Sequence, residues 1–496
     1  MHAAAARITP HSSGSGATAI AGARIRRIAL IGNALPRLCG LATFTSHVHS
    51  ALRARFPGVA VDHYAMVDPG GAYQFPTTVK RAIAQEEGAS YRAAARAIEE
   101  SGADLVWVQH EFGIFGGAAG SHLIELLDRV SAPVVVTLHT VLDAPNTDQR
   151  HVMERLIEGA SLLIVMAEHA RAILTRSYGT DPARIAVIPH GVPDCAYLEP
   201  AMARRAQTLE DRPTILTFGL LSPGKGLETM VRAMPAVLAR CPDALYSIIG
   251  ATHPHLVARE GEAYREGLQA LAGGLGVEHA IRWDNRFLGE QELLDRIAAA
   301  DVYVTPYDNP AQITSGTLAY ALGLGKPIVS TPYVHAIELL ADGRGELVGF
   351  GDVAATADAV GALLGDDLRR GEAAAKAYAY GRSMTWRRMA QRSMAAFEEL
   401  RSARSKVFSG GSAVGRRSLR PGDDPASNAR LQISVEAAAI AGCADGPARS
   451  AVSERIIGNT LADHRQPTPP DPRQSRTLAS RTGVSMSPSV SRWGSP

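Results

Sequence analysis

The sequence predicts an α/β protein built of two successive parallel-sheet lobes that face each other across a cleft. Three observations predict it. From Arg26 onward, short β-branched runs alternate with amphipathic segments, the pattern of β-α-β units feeding a parallel sheet. That rhythm breaks once, over 191–213, where prolines and charges interrupt it, and then restarts. At 496 residues the chain exceeds the size one hydrophobic core serves well, and each half has about the length of one domain.

In the first half, strands are expected at 27–32, 59–64, 104–109, 133–138, 162–166 and 185–189. Most are nearly continuous apolar runs, as in a sheet covered on both faces. Helices are expected at 42–54, 90–100, 120–130, 149–159 and 168–178. After the linker come strands at 214–219, 244–250, 281–285, 302–305, 328–331 and 346–348, with helices at 227–240, 264–275, 290–299, 316–323 and 354–364. An amphipathic stretch over 372–400, containing Tyr380 and Trp386, suits packing back across the lobes. The expected organisation is a disordered leader (1–25), an N-terminal lobe (26–200), a C-terminal lobe (201–384), a crossover helix (385–400) and a disordered basic tail (401–496). The tail is rich in Ser, Arg, Pro and Gly and poor in aromatics, too little apolar surface to offset chain entropy.

Composition narrows the function. From Arg401 onward there are 14 Lys and Arg against 7 Asp and Glu, so the body is mildly acidic although the whole chain is +2. A body without basic excess does not suit nucleic acid, and the tail allows peripheral membrane contact at most. Cys39, Cys195, Cys241 and Cys443 stand far apart, without the spacing of a zinc site or disulfide framework, which fits reduced cytoplasm. No apolar run reaches the about 18–20 residues of a membrane helix.

Three loops could carry chemistry. The first strand enters Gly32-Asn33-Ala34-Leu35-Pro36-Arg37-Leu38-Cys39-Gly40 and then a helix. Glycines there let backbone amides approach a phosphate at the positive end of a helix, although a plain tight turn reads the same. The second lobe opens similarly with Phe218-Gly219-Leu220-Leu221-Ser222-Pro223-Gly224-Lys225-Gly226. Its lysine can lie over a diphosphate, or merely be an exposed cation at a helix start. The third runs from Gln312 through Ser315, Gly316 and Thr317 into a helix whose free amides can hold an anion, with Tyr320 one turn inside. A capped helix packed between strands is the alternative.

The order of these elements over about 26–400 resembles the retaining glycosyltransferases of family 4, which have the GT-B fold of two Rossmann-like lobes. Further landmarks are Val187-Ile188-Pro189-His190-Gly191-Val192, Ala300-Asp301-Val302-Tyr303-Val304-Thr305-Pro306, Gly325-Lys326-Pro327-Ile328-Val329 and Glu338-Leu339-Leu340-Ala341-Asp342-Gly343. The resemblance implies a nucleotide-sugar donor as substrate, with no cofactor and no metal. It implies that Lys225 and His139 are catalytic, Lys225 neutralising the departing diphosphate and His139 facing the donor sugar. Gly40, Gly219, Gln312, Ser315, Gly316, Thr317 and Tyr320 would complete the donor site. His110, Glu111 and Asn146 sit on strand-end loops of the first lobe, where a saccharide, lipid-linked or small-molecule acceptor would be touched.

The chain departs from the family pattern at three positions. Leu220 stands where an arginine is usual, and Gln312 and Tyr320 stand where the family has paired glutamates. Glutamine still hydrogen-bonds a sugar hydroxyl, but a tyrosine cannot accept from two ribose hydroxyls as a carboxylate does. Arg282 or Arg286 is the candidate replacement cation. These departures define an atypical subfamily and leave two alternatives beside the transferase: a phosphorylase-like or epimerase-like enzyme of the same fold, or a non-catalytic scaffold.

Overall fold

The computed structural model describes residues 24–410. The expected leader lies outside the described residues except for its last two positions, and the expected tail except for its first ten, which continue a helix. The first sheet comprises β1 (Arg27–Gly32), β2 (Ala60–Val67), β3 (Val79–Ala84), β4 (Leu105–His110), β5 (Val134–Leu138), β6 (Leu162–Val165) and β7 (Ile185–Val187). Its order is β3-β2-β1-β4-β5-β6-β7, parallel throughout. The second comprises β8 (Thr214–Phe218), β9 (Leu245–Ile249), β10 (Ile281–Asp284), β11 (Val302–Thr305), β12 (Ile328–Ser330) and β13 (Glu346–Leu347), ordered β10-β9-β8-β11-β12-β13 and also parallel. This is the GT-B architecture, α/β with two Rossmann-like lobes.

Both sheets are wound outward from their first strand, so the loops after β1 and β8 open at the point where strand order reverses, the usual place for a ligand. The central strands are buried on both faces; β4 has no exposed residue, in keeping with the apolar run of its first four residues, and its closing Gln109 and His110 are buried too. A buried pair anchors the start of the second sheet: Arg204 donates to Asp301 at 2.7 Å, and the same carboxylate accepts from the Thr214 amide.

Three differences from the sequence reading have simple causes. The strand β3 was not expected, because three of its six residues face solvent and two of these are Lys80 and Arg81, as suits an edge. The linker 191–213 holds a short helix, Pro200–Ala206, started by proline at its first turn. The stretch 372–400 is two helices, Asp367–Gly381 and Trp386–Gly410, parted just after Gly381, which packs so closely on Gly323 that a Cβ there would lie 2.7 Å from its Cα.

At that turn the chain crosses back to the first lobe beside its outward crossing. Val192 donates to the Met384 carbonyl at 2.9 Å and accepts from Trp386 at 3.0 Å, and Arg382 pairs with Asp194 at 2.6 Å. The helix Trp386–Gly410 then belongs to the first lobe, burying Met389, Met394 and Phe397 against Trp107 and the helix Gly40–Arg55. Gly191 has no room for more: a Cβ would lie 1.9 Å from the Trp386 ring. Gly191→Ala should therefore lower stability by about 3 kcal/mol in urea titration; an unchanged midpoint would show that the crossing relaxes freely.

Candidate active site

A cavity of about 400 Å³ lies between the lobes. The first lobe contributes Leu35, Pro36 and Leu38 from the loop after β1, with Thr43 and His47 from the following helix. The second contributes Gly219 and Leu220 after β8, Gly250 after β9, residues 286–290 after β10, and Tyr320. Its floor is two backbone segments in contact. Gly219 donates to the Ile249 carbonyl, and a Cβ on Gly250 (φ +145°) would lie 1.9 Å from the Gly219 carbonyl oxygen, so glycine is required there.

From the cavity wall a run of contacts leads to the expected lysine. A Cβ on Gly219 would lie 3.2 Å from the Thr317 methyl, and the Thr317 hydroxyl is 3.0 Å from the Tyr307 hydroxyl. The Lys225 ammonium then lies 4.0 Å above the Tyr307 ring, a cation–π contact that holds it without a carboxylate. Ser315 caps the helix Gly316–Gly323 by accepting from the Leu318 amide, and its hydroxyl is 3.2 Å from that of Thr317. As first residues of this helix, Gly316 and Thr317 have amides with no carbonyl partner inside it. Gly219, Lys225, Ser315, Gly316 and Thr317 are thus brought together from two segments far apart in sequence, the loop after β8 and the loop and helix start after β11.

His139, directly after β5, is buried and its Nε2 lies 3.1 Å from Gln109 Oε1, with the ring edge-on to Phe44 at 4.6 Å. Burial pushes its pKa down to about 3, so the ring is neutral at physiological pH. His190, from the interlobe crossing, is likewise neutral, pushed to about 4 by burial, and would stand 3.1 Å from a Cβ on Gly316. His335 accepts from the Ser315 amide at 2.8 Å and leaves Nε2 buried without a partner.

The other expected residues are placed differently. Gly40 opens its helix on the exposed side of the first loop, and a Cβ there would meet nothing within 4 Å, so sterics do not demand glycine. The Gln312 carboxamide turns back to its own loop, donating to the Thr314 carbonyl at 2.6 Å. None of the three acceptor candidates lines the cavity. His110 is fully buried between Phe112 and Phe115 with both ring nitrogens unpartnered, because it closes β4 pointing into the core. Glu111 is committed to the Thr140 hydroxyl and the Phe112 amide. Asn146 is exposed and caps the helix Thr147–Gly159 in a reciprocal box with Gln149. Of the two replacement cations, Arg282 pairs with Glu210 away from the cavity, while Arg286 lines it but is held by Asp284 and Glu292.

Two residues on the cavity wall escaped the sequence reading. His47 reaches across the cleft, its Nδ1 2.9 Å from the Tyr320 hydroxyl and its Nε2 2.9 Å from Glu290. Only the position of His47 on the inward face of the first helix, one turn after Phe44, hinted at it. Among the described residues no cluster of His, Cys, Asp and Glu could hold a metal, and no helix is long and apolar enough to cross a membrane.

Two family descriptions match the chain, "Glycosyltransferase Family 4" over residues 40–194 and "Glycosyl transferases group 1" over 212–366, one on each lobe. Among curated proteins, the chain is 29% identical over 293 residues to a GDP-mannose-dependent alpha-(1-6)-phosphatidylinositol monomannoside mannosyltransferase of Mycolicibacterium smegmatis, covering 55% of this chain and 70% of that one. It is 31% identical over 284 residues to the phosphatidyl-myo-inositol mannosyltransferase of Mycobacterium leprae (55% and 69%), and 31% over 283 to a D-inositol 3-phosphate glycosyltransferase of Xylanimonas cellulosilytica (52% and 64%). The matches thus span about two thirds of these relatives. Among solved structures, sucrose-phosphate synthase of Thermosynechococcus elongatus superposes with a TM-score of 0.61 at 18% identity, over 78% of this chain and all of that one. HepE of Anabaena, solved with UDP, superposes at 0.58 and 16% identity, over 77% and 100%. These two are likenesses of fold.

Proposed function

Because the chain belongs to glycosyltransferase family 4, we propose that it moves a hexosyl group from a nucleotide-diphosphate sugar to a hydroxyl acceptor, with retention and without a metal. One observation carries the reading: Lys225 and the free amides at Gly316 and Thr317 converge, through Tyr307 and Gly219, beside one end of the interlobe cavity. Such an array suits a departing diphosphate, because fixed donors and an ammonium stabilise developing oxyanions without reorganising at the moment of reaction. In the transfer, the bond from the anomeric carbon to the phosphate oxygen breaks and the bond to the acceptor oxygen forms on the same face. The acceptor proton passes to the leaving phosphate. His139, neutral and oriented by Gln109, faces the sugar as a hydrogen-bonding group rather than a cation.

The chain represents an atypical branch, in which Gln312 and Tyr320 replace the paired glutamates and Leu220 the arginine. The relatives named for inositol phosphates and phosphatidylinositol make a cyclitol phosphate, free or lipid-linked, the acceptor to try first, and GDP-mannose a leading donor. A cytoplasmic setting belongs to the same reading; the three described cysteines are free thiols, and Cys39 caps a helix as one.

A thermal-shift panel of UDP-, GDP- and ADP-sugars tests the donor. A true donor at 100 times its dissociation constant adds about 2.7 kcal/mol of stability. No shift with any of the three at millimolar concentration would favour the non-catalytic scaffold.

A further inference from the structure

Of the residues that line the interlobe cavity, Glu290 alone carries a carboxylate. It ends a chain of hydrogen bonds that spans the lobes. The Tyr320 hydroxyl lies 2.9 Å from Nδ1 of His47. The carboxylate of Glu290 can only accept, so Nε2 of the same ring donates to its Oε1 at 2.9 Å. That bond, first among the causes, holds the Glu290 carboxyl below its ordinary range and keeps it ionised. Oε2 has no partner among the described residues, and the side chain is 51% exposed towards the cleft region.

We infer that Glu290 receives the vicinal ribose hydroxyls of the donor nucleotide. The inference rests on the donor reading above. A diol entering this cavity meets mainly Leu35, Pro36, Phe218, Leu220, Phe287 and Leu288, none of which can accept a hydrogen bond from a side chain. Burying two hydroxyls there without acceptors is unfavourable. The Tyr320 hydroxyl, bonded to His47, offers at most a single acceptor site, and one threonine hydroxyl likewise cannot serve both ribose groups. An ionised carboxylate, oriented by His47 and open on one oxygen, can serve both. The carboxylate absent from position 320 is thus supplied from elsewhere on the same lobe, by the first turn of the helix Glu290–Ala299.

Calorimetric titration of the full-length protein with UDP and GDP, and with the 2′,3′-dideoxy form of whichever binds tighter, tests this. Wild type should prefer the ribose form by about tenfold to hundredfold, as for hydrogen bonds to a charged group. In Glu290→Ala the preference should collapse to within about twofold, with the dideoxy form bound as in wild type. Equal binding of the two forms by wild type, a comparison that needs no variant, overturns the assignment, as does a preference that survives in Glu290→Ala. If wild type binds neither nucleotide, the donor reading falls first and takes this one with it.

Discussion

Lys225→Ala should lower kcat by about 10²–10³-fold at saturating donor while leaving the melting temperature within a few degrees of wild type. The size follows from removing one preorganised charge-stabilising group from a site of transition-state oxyanion development. The small stability effect follows from the surroundings of the side chain. It is half-buried, pairs with no carboxylate among the described residues and touches the Tyr307 ring, a contact of about 0.5–1 kcal/mol. Steady-state kinetics with the donor identified by the thermal panel, beside a melting curve, separates the two quantities. A kcat within about threefold of wild type would remove Lys225 from the chemistry.

The second large effect is on stability in acid. Burial holds five histidines neutral: His63 and His190 are pushed to about 4, and His110, His139 and His335 to about 3. Their unfolded pKa is about 6.5, so above that pH neither state binds the proton and their full stabilising contribution is present. As pH falls below 6.5 the unfolded chain takes up protons that the folded chain refuses, and stability drops until the folded values are reached. At pH 5 each such histidine costs about 2 kcal/mol, so five together cost about 10, comparable with the whole stability of a domain. The melting temperature should fall steeply between pH 6.5 and 5. His110→Phe should make that fall shallower by one proton's worth, since both His110 nitrogens are unpartnered between Phe112 and Phe115. A melting temperature flat across that range would mean that water or local opening reaches these rings.

Most of the fold was legible because parallel strands buried on both faces write themselves as apolar runs. The strands at 302–305 and the helices at 168–178, 227–240 and 290–299 coincide with the sequence reading to the residue. What escaped was structure whose residues are governed by something other than burial. The edge strand β3 carries its own charges, and the helix Val334–Leu339 is a single turn and a half tied to the loop before Ser315 through His335.

The site divides along the same line. The second-lobe loops could be read because glycine, lysine and helix start lie within one short segment each. The interlobe contacts could not: His47 and Tyr320 are 273 positions apart, and no local pattern marks which helix face will meet another lobe. The acceptor candidates near β4 show the reverse error. A strand-end position is right for a ligand residue in general, but side-chain alternation sent His110 into the core and helix capping engaged Asn146.

The paired crossings at Val192 and Thr385 constrain how this cleft can open. Two straps zipped side by side put both chain connections between the lobes at one place, so a swing about that place, as of a door on two closely set pins, is the motion they should resist least. The Trp386 ring, packed so closely on Gly191 that no Cβ would fit, is wedged at that place and is expected to limit the swing.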